Sequence, residues 1–359
     1  MPIRVLHGDC LAVMATLEPT SVHAVCTDPP YELNFMGRHW DRSGIAFRPE
    51  TWAAVLRVMK PGAFMFAFAS SRGYHRMVCA IEDAGFVIHP MFAWIFGSGF
   101  PKATRFDQPE LSGWRYGLQA TKPALEPICM AQKPMEKGLT GSQNWEKWGC
   151  GGLNIEASRI HSDDAQGGEY TVKRLKPGAT LAANGGTWRD PEGSDYHGST
   201  PPGRWPANLC HDGSPEVLAA FAAFGEKTSG SLEPHHNCSD WGYSGSARKQ
   251  PTLHSTGGNT GSAARFFYTA KADSNDRADS KHPTIKPVSL IKWLAAMICP
   301  PGGTILDPFA GSGTTGEAAM LCGFDCTLIE REAEHVRDIN HRIRRWSGLD
   351  APLFAEAVA

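Results

Sequence analysis

The sequence predicts an α/β fold in which helices cover both faces of a mostly parallel sheet. Short apolar segments alternate with stretches of helical periodicity, the segments are apolar on both faces, and two of them end in an aspartate. Such segments are typical of parallel strands that are buried on both sides. With 359 residues and an apolar fraction of 42%, the chain is long enough to bury a sizeable core.

The first third of the chain follows this alternation from its N-terminus. Met77, Ile81 and Ala84 lie at helical spacing, and Lys60-Pro61-Gly62 is a typical helix end. Strands are predicted at 3–6, 21–27, 63–69 and, as one or two strands, 86–96, and helices at 10–17, 50–59 and 72–84.

The chain changes character after about residue 133. From there to about residue 264 it is rich in Gly, Ser, Asn and Pro, yet it contains several tryptophans. Because disordered segments are usually poor in aromatics, we predict an irregular insertion at 136–264. The expected division is a catalytic domain formed by 1–135 and 265–350, the insertion, and a tail at 351–359.

Helix and strand alternate again after the insertion. A helix is predicted at 287–298, strands at 304–306 and 326–329, and a final helix follows. The final helix has an apolar face, and its arginines fall largely elsewhere, which is typical of a solvated face. These arginines are Arg337, Arg342, Arg344 and Arg345.

Composition limits the protein class and its compartment. The net charge of −2 argues against a surface coated in positive charge, although a local basic groove stays open. Ten cysteines without CxxC spacing predict buried free thiols and a reducing compartment. The N-terminus lacks a signal peptide, and no window approaches a membrane span, so we expect a cytoplasmic protein.

Metal binding is the less favoured interpretation of a histidine-rich patch. The patch at 235–238, with Cys210-His211 upstream, matches the spacing of no familiar zinc site. We therefore expect ordinary loop residues there and no metal.

The stretch VCTDPPYELNF at 25–35 ends an apolar strand with an acid followed by two prolines. Prolines lack an N–H donor and fix φ, so a sheet strand cannot continue through Pro29 and Pro30. Asp28 therefore lies at the strand tip, and we predict a rigid carboxylate at the sheet edge. On its own, such a tetrapeptide is more often a simple turn.

The stretch LDPFAGSGTTG at 306–316 is a strand end followed by a glycine-rich turn and a helix. Glycines let the backbone approach a ligand, and free N–H groups at a helix start attract its polar end. The turn lacks the Lys of a phosphate loop and the complete G-x-G-x-x-G signature, which favours a nucleoside without a pyrophosphate. Glu330 ends the next strand, where a carboxylate can accept both ribose hydroxyls. Thr284 and Lys286, in HPTIKP, are expected to reach the ligand's carboxylate.

These segments resemble S-adenosylmethionine-dependent amino-methyltransferases of DNA. The resemblance rests on DPPY at 28–31, DPFAGSGTTG at 307–316 and HPTIKP at 282–287, and their order is similar to the permuted class called beta. Other segments, such as GSGFPKA and GRWPANL, look like pieces of phage and orphan bacterial members. The resemblance implies a seven-stranded Rossmann-like sheet with circularly permuted motif order, in which the two motif strands are adjacent.

The resemblance also implies residue roles. Asp28 and the Pro29 carbonyl accept hydrogen bonds from the target amino group, Pro30 keeps the loop rigid, and Tyr31 stacks on the base. Asp9 contacts the cofactor's adenine amino group, and Glu330 contacts its ribose. The implied cofactor-binding residues are Asp9, Asp28, Thr284, Lys286, Asp307, Phe309, Gly311, Ser312, Gly313, Thr314, Thr315 and Glu330.

The implied reaction methylates an exocyclic amine, which is a poor nucleophile because its lone pair is delocalised. Two rigid acceptors on its N–H bonds direct the lone pair at the sulfonium methyl without a metal or a covalent intermediate. The target lies inside the duplex, so its base must be flipped out. Asp rather than Ser at position 28 favours adenine N6, and cytosine N4 stays the alternative.

Two other protein classes are considered. Enzymes that methylate a protein glutamine use an N-P-P-Y loop, but there the cofactor motif comes first, and here it comes last. The second class is a DNA-binding regulator that retains a cofactor pocket. For such a regulator, Asp28→Ala should leave the cellular effect of the protein intact. Both loops are complete here, which favours the enzyme.

Double-stranded DNA is the expected partner, and its contacts are assigned mainly to the insertion. Each basic residue alone is more often solvated surface, and neither the recognition sequence nor a partner nuclease can be identified from the sequence. A homodimer is expected, as is common in this class. The candidate DNA-binding residues are Arg38, Lys147, Arg159, Lys173, Arg174, Arg189, Arg204 and Arg248.

Overall fold

The computed structural model places most of the chain in two compact units. The first unit comprises Met1–Ser158, Pro206–Ala219 and Phe267–Ala359, and the second comprises Arg159–Trp205 and Ala220–Phe266. The residues that the structure describes are 2–33, 39–161, 168–173, 195–200, 202–228, 260–273, 276, 280, 285–347 and 355–357.

Strands and helices alternate as the sequence predicts. The strands are β1 (Ile3–His7), β2 (Val22–Thr27), β3 (Met59–Phe68), β4 (Val87–Ile88), β5 (Phe92–Ile95), β6 (Lys102–Arg105), β7 (Arg115–Gln119), β8 (Leu125–Gln132), β9 (Gly168–Lys173), β10 (Asp195–Thr200), β11 (Leu209–His211), β12 (Lys227–Thr228), β13 (Thr260–Gly261), β14 (Tyr268–Thr269), β15 (Thr304–Asp307), β16 (Asp325–Glu330) and β17 (Ala355–Ala357). The helices are α1 (Cys10–Thr16), α2 (Pro49–Val58), α3 (Tyr74–Asp83), α4 (Gly141–Trp148), α5 (Pro215–Ala222), α6 (Val288–Ile298), α7 (Thr314–Cys322) and α8 (Ala333–Ser347).

An eleven-stranded sheet forms the centre of the first unit, in the order β14-β11-β5-β8-β3-β2-β15-β16-β1-β17, with β4 beside β8. Strand β8 runs antiparallel to β3, β4 and β5, and the other pairs are parallel, which confirms a mostly parallel sheet. The implied count of seven is too small, because the short strands β4, β11, β14 and β17 add to it. A short strand at the edge of a sheet forms hydrogen bonds with backbone N–H and C=O groups that would otherwise be open to pairing with another chain.

Helices pack on both faces of this sheet, because successive side chains of a strand point to opposite sides. On one face, Ala24 of β2 and Phe66 of β3 join a buried cluster with Leu294 of α6. On the other face, Val25 of β2 lies in a second cluster with Trp52 of α2. Strand β2 is therefore buried on both sides, as its unbroken apolar sequence predicts.

The second unit begins later than the insertion predicted at 136–264. Asn144 of α4 donates from Nδ2 to the carbonyls of Pro61 (3.0 Å) and Cys150 (2.8 Å), which ties α4 to the start of the β3 segment. Strand β11 pairs with β5 and so also joins the first unit. Composition predicts that the region is rich in loops, but the hydrogen bonds of Asn144 hold the first residues of the region against the sheet.

The expectation of a compartment rests on the state of the cysteines and on the length and apolar character of the helices. Every cysteine that the structure describes is a free thiol, and seven of them are buried. In the described part of the chain, no helix has the length and apolar character to cross a membrane.

The expectation of solvated arginines on the final helix is wrong for Arg342, which is fully buried. Its Nη1 donates to Glu317 Oε2 at 2.5 Å, and its Nε donates to the Ser312 carbonyl at 2.8 Å. Arg337, by contrast, is exposed on the same helix. A buried charge requires such partners, and here the partners lie in and just before α7.

Replacement of Arg342 by Met should lower the free energy of unfolding by about 3–5 kcal/mol, because it leaves the Glu317 carboxylate buried without its counter-ion. Arg337→Met is the matched control, and its exposed side chain predicts a change within about 0.5 kcal/mol. Urea unfolding of both variants measures the difference. Equal stabilities of the two variants would contradict the importance of the pair.

Candidate active site

The two loops singled out in the sequence meet at one edge of the sheet. Strands β2 and β15 are parallel neighbours, with Val25 opposite Leu306, so Asp28 and Asp307 leave adjacent strand ends. Thr27 Oγ1 donates to Asp307 Oδ1 at 2.7 Å and links the two ends directly. Residues of both loops line one cavity of about 190 Å³. The predicted adjacency of the motif strands is therefore confirmed.

Asp28 presents one engaged oxygen and one unengaged oxygen. Its Oδ2 lies 2.6 Å from Lys286 Nζ, whereas its Oδ1 is buried and has no hydrogen-bond partner among the described residues. Pro29 behind it is buried, and Pro30 also lines the cavity. A buried acceptor without a partner is costly, and it marks the position where a ligand's N–H group fits.

Tyr31 lies beside this carboxylate and donates from its hydroxyl to Glu126 Oε2 at 3.1 Å. Burial, and then the charges of Asp28 and Glu126, raise the pKa of the Tyr31 hydroxyl well above its usual value. The ring is therefore neutral at physiological pH. Glu126 also lines the cavity, although its sequence context, early in a strand that includes a proline, gave no sign of a site residue.

The turn after Tyr31 is held by Asp41, another residue that sequence analysis missed. The Asp41 carboxylate is buried and accepts from the backbone N–H groups of Glu32 (2.8 Å) and Leu33 (3.0 Å). Glu32 has a left-handed φ of 57°, which is uncommon for a residue other than glycine. The two hydrogen bonds to Asp41 stabilise that conformation.

Lys286 lies on the acceptor side of the cavity, whereas sequence analysis expected it to reach a ligand carboxylate. Its buried Nζ is 2.6 Å from Asp28 Oδ2 and 3.2 Å from Glu126 Oε2. Burial favours the neutral amine, but the charges and hydrogen bonds of the two carboxylates raise the pKa of Lys286 above its usual value. Its ammonium is thus already held by two anions. Thr284 lies outside the described residues.

The glycine turn also lines the cavity. Gly311 and Gly313 have φ values of 52° and 83°, which favour glycine, and α7 begins directly after them. The Gly311 N–H donates to Glu330 Oε2 at 2.8 Å, and Glu330 Oε1 accepts from the N–H of Glu332 at 2.8 Å. Glu330 therefore fixes the turn and faces the same cavity.

Asp9 lies at the third strand end of this edge, after β1. Its Oδ1 accepts from the N–H groups of Leu11 (3.0 Å) and Ala12 (3.2 Å) and so caps α1.

Gly313 does not line the cavity, and a Cβ there would meet Ile339 Cγ1 at 3.1 Å. The predicted cofactor residues that line the cavity are Asp9, Asp28, Lys286, Asp307, Phe309, Gly311, Ser312, Thr314, Thr315 and Glu330.

The basic residues expected to bind DNA have different surroundings. Lys147 is exposed and pairs with Glu136 at 2.7 Å. Arg204 is buried, with its guanidinium 5.0 Å from the Phe266 ring centre. Arg159 lies 5.8 Å from the ring centre of Trp205.

The remaining residues that the sequence predicts to bind DNA either lie outside the described part of the chain or are described only by their backbone. Lys173 is the last residue of β9, and Arg38, Arg174, Arg189 and Arg248 lie outside the described part of the chain, as does the histidine-rich patch at 235–238. In the part that the structure describes, no group of three or more His, Cys, Asp or Glu side chains is arranged to hold a metal ion.

A family model, curated proteins and solved structures are similar to this chain. The family model described as DNA methylase matches residues 22–341. YubD of Escherichia coli (strain K12) is 27% identical over 157 residues, which cover 37% of this chain and 69% of YubD. Type II methyltransferase M.HindIII of Haemophilus influenzae (strain ATCC 51907 / DSM 11121 / KW20 / Rd) is 32% identical over 130 residues, which cover 33% of this chain and 41% of that protein. The M1.HpyAVI–SAM complex has a TM-score of 0.45 and 16% identity, and the match covers 95% of this chain and 99% of that one.

Asp307 predicts a pH dependence of stability. Burial raises its pKa from the ordinary 3.8 to about 6, although hydrogen bonds from Thr315, Thr27 and the Phe309 N–H oppose the shift. Between these two values the folded protein holds a proton that the unfolded chain has released, so this group makes folding less favourable as pH rises. The loss amounts to about 3 kcal/mol and is complete above about pH 6.

Asp307→Asn removes this titration. The difference in unfolding free energy, wild type minus variant, should therefore fall by about 3 kcal/mol between about pH 4 and about pH 7. Urea unfolding across that range measures it, with the exposed Asp83→Asn as a control whose difference stays flat. A constant difference for Asp307→Asn would overturn the assignment.

Proposed function

Because the chain belongs to the DNA methylase family, we propose that it transfers a methyl group from S-adenosylmethionine to the exocyclic N6 amine of adenine in double-stranded DNA. The observation that carries this proposal is the buried Oδ1 of Asp28, which has no hydrogen-bond partner among the described residues and belongs to a residue that lines the same cavity as the glycine turn. A hydrogen-bond acceptor for an amine and a glycine turn suited to a nucleoside line one cavity, which is the arrangement that methyl transfer from a nucleoside cofactor to an amine requires.

The chemistry explains why a rigid acceptor is needed. An amine conjugated to a purine ring has a delocalised lone pair, and acceptors on its two N–H bonds favour a pyramidal nitrogen. Asp28 Oδ1 supplies one acceptor, and the Pro29 carbonyl is proposed as the other, on a backbone that two prolines hold rigid. The nitrogen becomes acidic only after it has gained the methyl group, so Asp28 does not need to be a strong base.

The residues opposite Asp28 fit S-adenosylmethionine, whose sulfonium supplies an electrophilic methyl group when the cofactor is bound. Gly311 lines the cavity without a side chain, and Glu330 is proposed to offer its carboxylate, at the end of β16, to the ribose hydroxyls. Asp9, at the end of β1, is proposed to accept from the adenine amino group. The absence of the phosphate-loop Lys fits a cofactor without phosphates.

The target base has to leave the duplex to reach Asp28. The neutral Tyr31 ring beside Asp28 is proposed to replace the stacking that the flipped base loses. We assign sequence recognition to the insertion at 136–264, with Lys147, Arg159 and Lys173 as candidate phosphate contacts, and we propose that the protein acts as a homodimer.

Asp at position 28 is the feature that favours adenine N6 over cytosine N4. The direct test incubates the protein with DNA and labelled S-adenosylmethionine, digests the DNA to nucleosides and separates them by mass spectrometry. N6-methyladenine is expected. N4-methylcytosine alone would leave the DNA methyltransferase class intact and overturn the choice of base.

Asp28→Asn should lower the rate of methyl transfer at least about 100-fold, because it replaces a charged acceptor aimed at the amine. The dissociation constant of S-adenosylmethionine should change less than about threefold, since the glycine turn is untouched. Asp83→Asn, at an exposed aspartate, is the matched control. Full methyl-transfer activity of Asp28→Asn would overturn the role of Asp28 as the charged acceptor.

Glu330→Gln should raise the dissociation constant of S-adenosylmethionine about tenfold, because one charged acceptor for the ribose is lost. Calorimetric titration measures this change, and Glu334→Gln, whose side chain is 61% exposed, is the control. Unchanged affinity would place the nucleoside elsewhere.

A further inference from the structure

Lys286 connects the acceptor Asp28 to side chains from other parts of the fold. Lys286, before α6, lies 2.6 Å from Asp28 Oδ2 and 3.2 Å from Glu126 Oε2, in β8. The ammonium also lies 5.2 Å from the ring centre of Tyr31 and 5.1 Å from that of Phe68. One buried cation thus joins two carboxylates and faces two aromatic rings.

The prolines alone leave the Asp28 carboxylate incompletely fixed. They restrict the backbone, but the two side-chain torsions of an aspartate keep several staggered positions. A charge-assisted hydrogen bond to one oxygen selects one of these positions. With Oδ2 engaged by Lys286, Oδ1 is the oxygen left to accept from the amine.

We propose that Lys286 and Glu126 are positioning residues for methyl transfer, with Lys286 orienting the Asp28 carboxylate and Glu126 holding Lys286 and Tyr31 in place. This inference rests on the function proposed above. It assigns Lys286 to the reaction's acceptor side rather than to the cofactor's carboxylate.

Glu126 connects both halves of this arrangement. Its Oε2 accepts from the Tyr31 hydroxyl at 3.1 Å and from Lys286. It therefore fixes the ring on which the base is proposed to stack and the cation that orients the acceptor. The second carboxylate also keeps Lys286 protonated, consistent with its raised pKa, so that the side chain remains a donor toward Asp28.

A role for Lys286 in holding the cofactor's carboxylate requires a different arrangement. The buried ammonium would have to leave a partner at 2.6 Å, and the half-buried Asp28 carboxylate would then lose its counter-ion. Breaking such a pair is strongly unfavourable. The observed contacts therefore favour orientation of Asp28.

Lys286→Met tests the proposal because it keeps the length of the side chain and removes its charge. The rate of methyl transfer in a single turnover should fall about 100-fold, as for loss of a charge-assisted contact in the transition state. The dissociation constant of S-adenosylmethionine should change less than about threefold. Lys286→Arg should recover part of the rate, and Lys292→Met, at an exposed lysine of the following helix α6, is the control.

Glu126→Gln keeps the proposal testable if Lys286→Met does not fold. It should lower the single-turnover rate about tenfold, with cofactor affinity unchanged. Because Glu126 acts on Asp28 through Lys286, Glu126→Gln should have a smaller effect in a Lys286→Met background than in the wild type, and the remaining effect is the part that acts through Tyr31.

The outcomes separate this inference from the proposed function. A wild-type enzyme that methylates DNA, combined with a Lys286→Met variant that loses cofactor affinity but keeps its single-turnover rate, overturns the inference alone. Additive effects of the two substitutions also overturn it. A wild-type protein that transfers no methyl group to DNA overturns the proposed function and this inference with it.

Discussion

The parallel pairing of β2 with β15 is the constraint on which the site depends. It places two aspartates, Asp28 and Asp307, at neighbouring strand ends, and the hydrogen bond from Thr27 to Asp307 fixes their register. Parallel strands direct their carboxyl ends to the same edge, so β1 and β16 bring Asp9 and Glu330 to it as well. Ligand sites in open α/β sheets are typically found at this edge.

Strand β8, which runs antiparallel to its neighbours in the eleven-stranded sheet, completes the site by the same geometry. Because β8 runs against its neighbours, its first residues, not its last, lie at the carboxyl edge. Glu126 therefore faces Tyr31 and Lys286, although it precedes most of the strand. A parallel strand in this position would place its last residues there instead.

Local pattern was sufficient to predict some residues and insufficient for others. Asp28 and the glycine turn are visible in the sequence because prolines and glycines dictate the backbone within a few positions. Glu126 and the partners of Lys286 are not visible, since they depend on pairing across 95 and 258 residues. Arg342 was misassigned because periodicity places a residue on a helix face but does not say whether a carboxylate, here Glu317, lies opposite.

In the proposed reaction, positive charge moves from the sulfonium to the amine nitrogen as the methyl group is transferred. The carboxylate that faces this nitrogen is thus better placed for the transition state than for the neutral substrate, which is the condition for faster chemistry. A cation between Asp28 and the amine would weaken that attraction. Lys286 contacts Oδ2, which is not the oxygen proposed to accept from the amine. Glu126 adds a second negative charge to the same network, so the acceptor side keeps an excess of negative charge while Asp28 is held in one orientation.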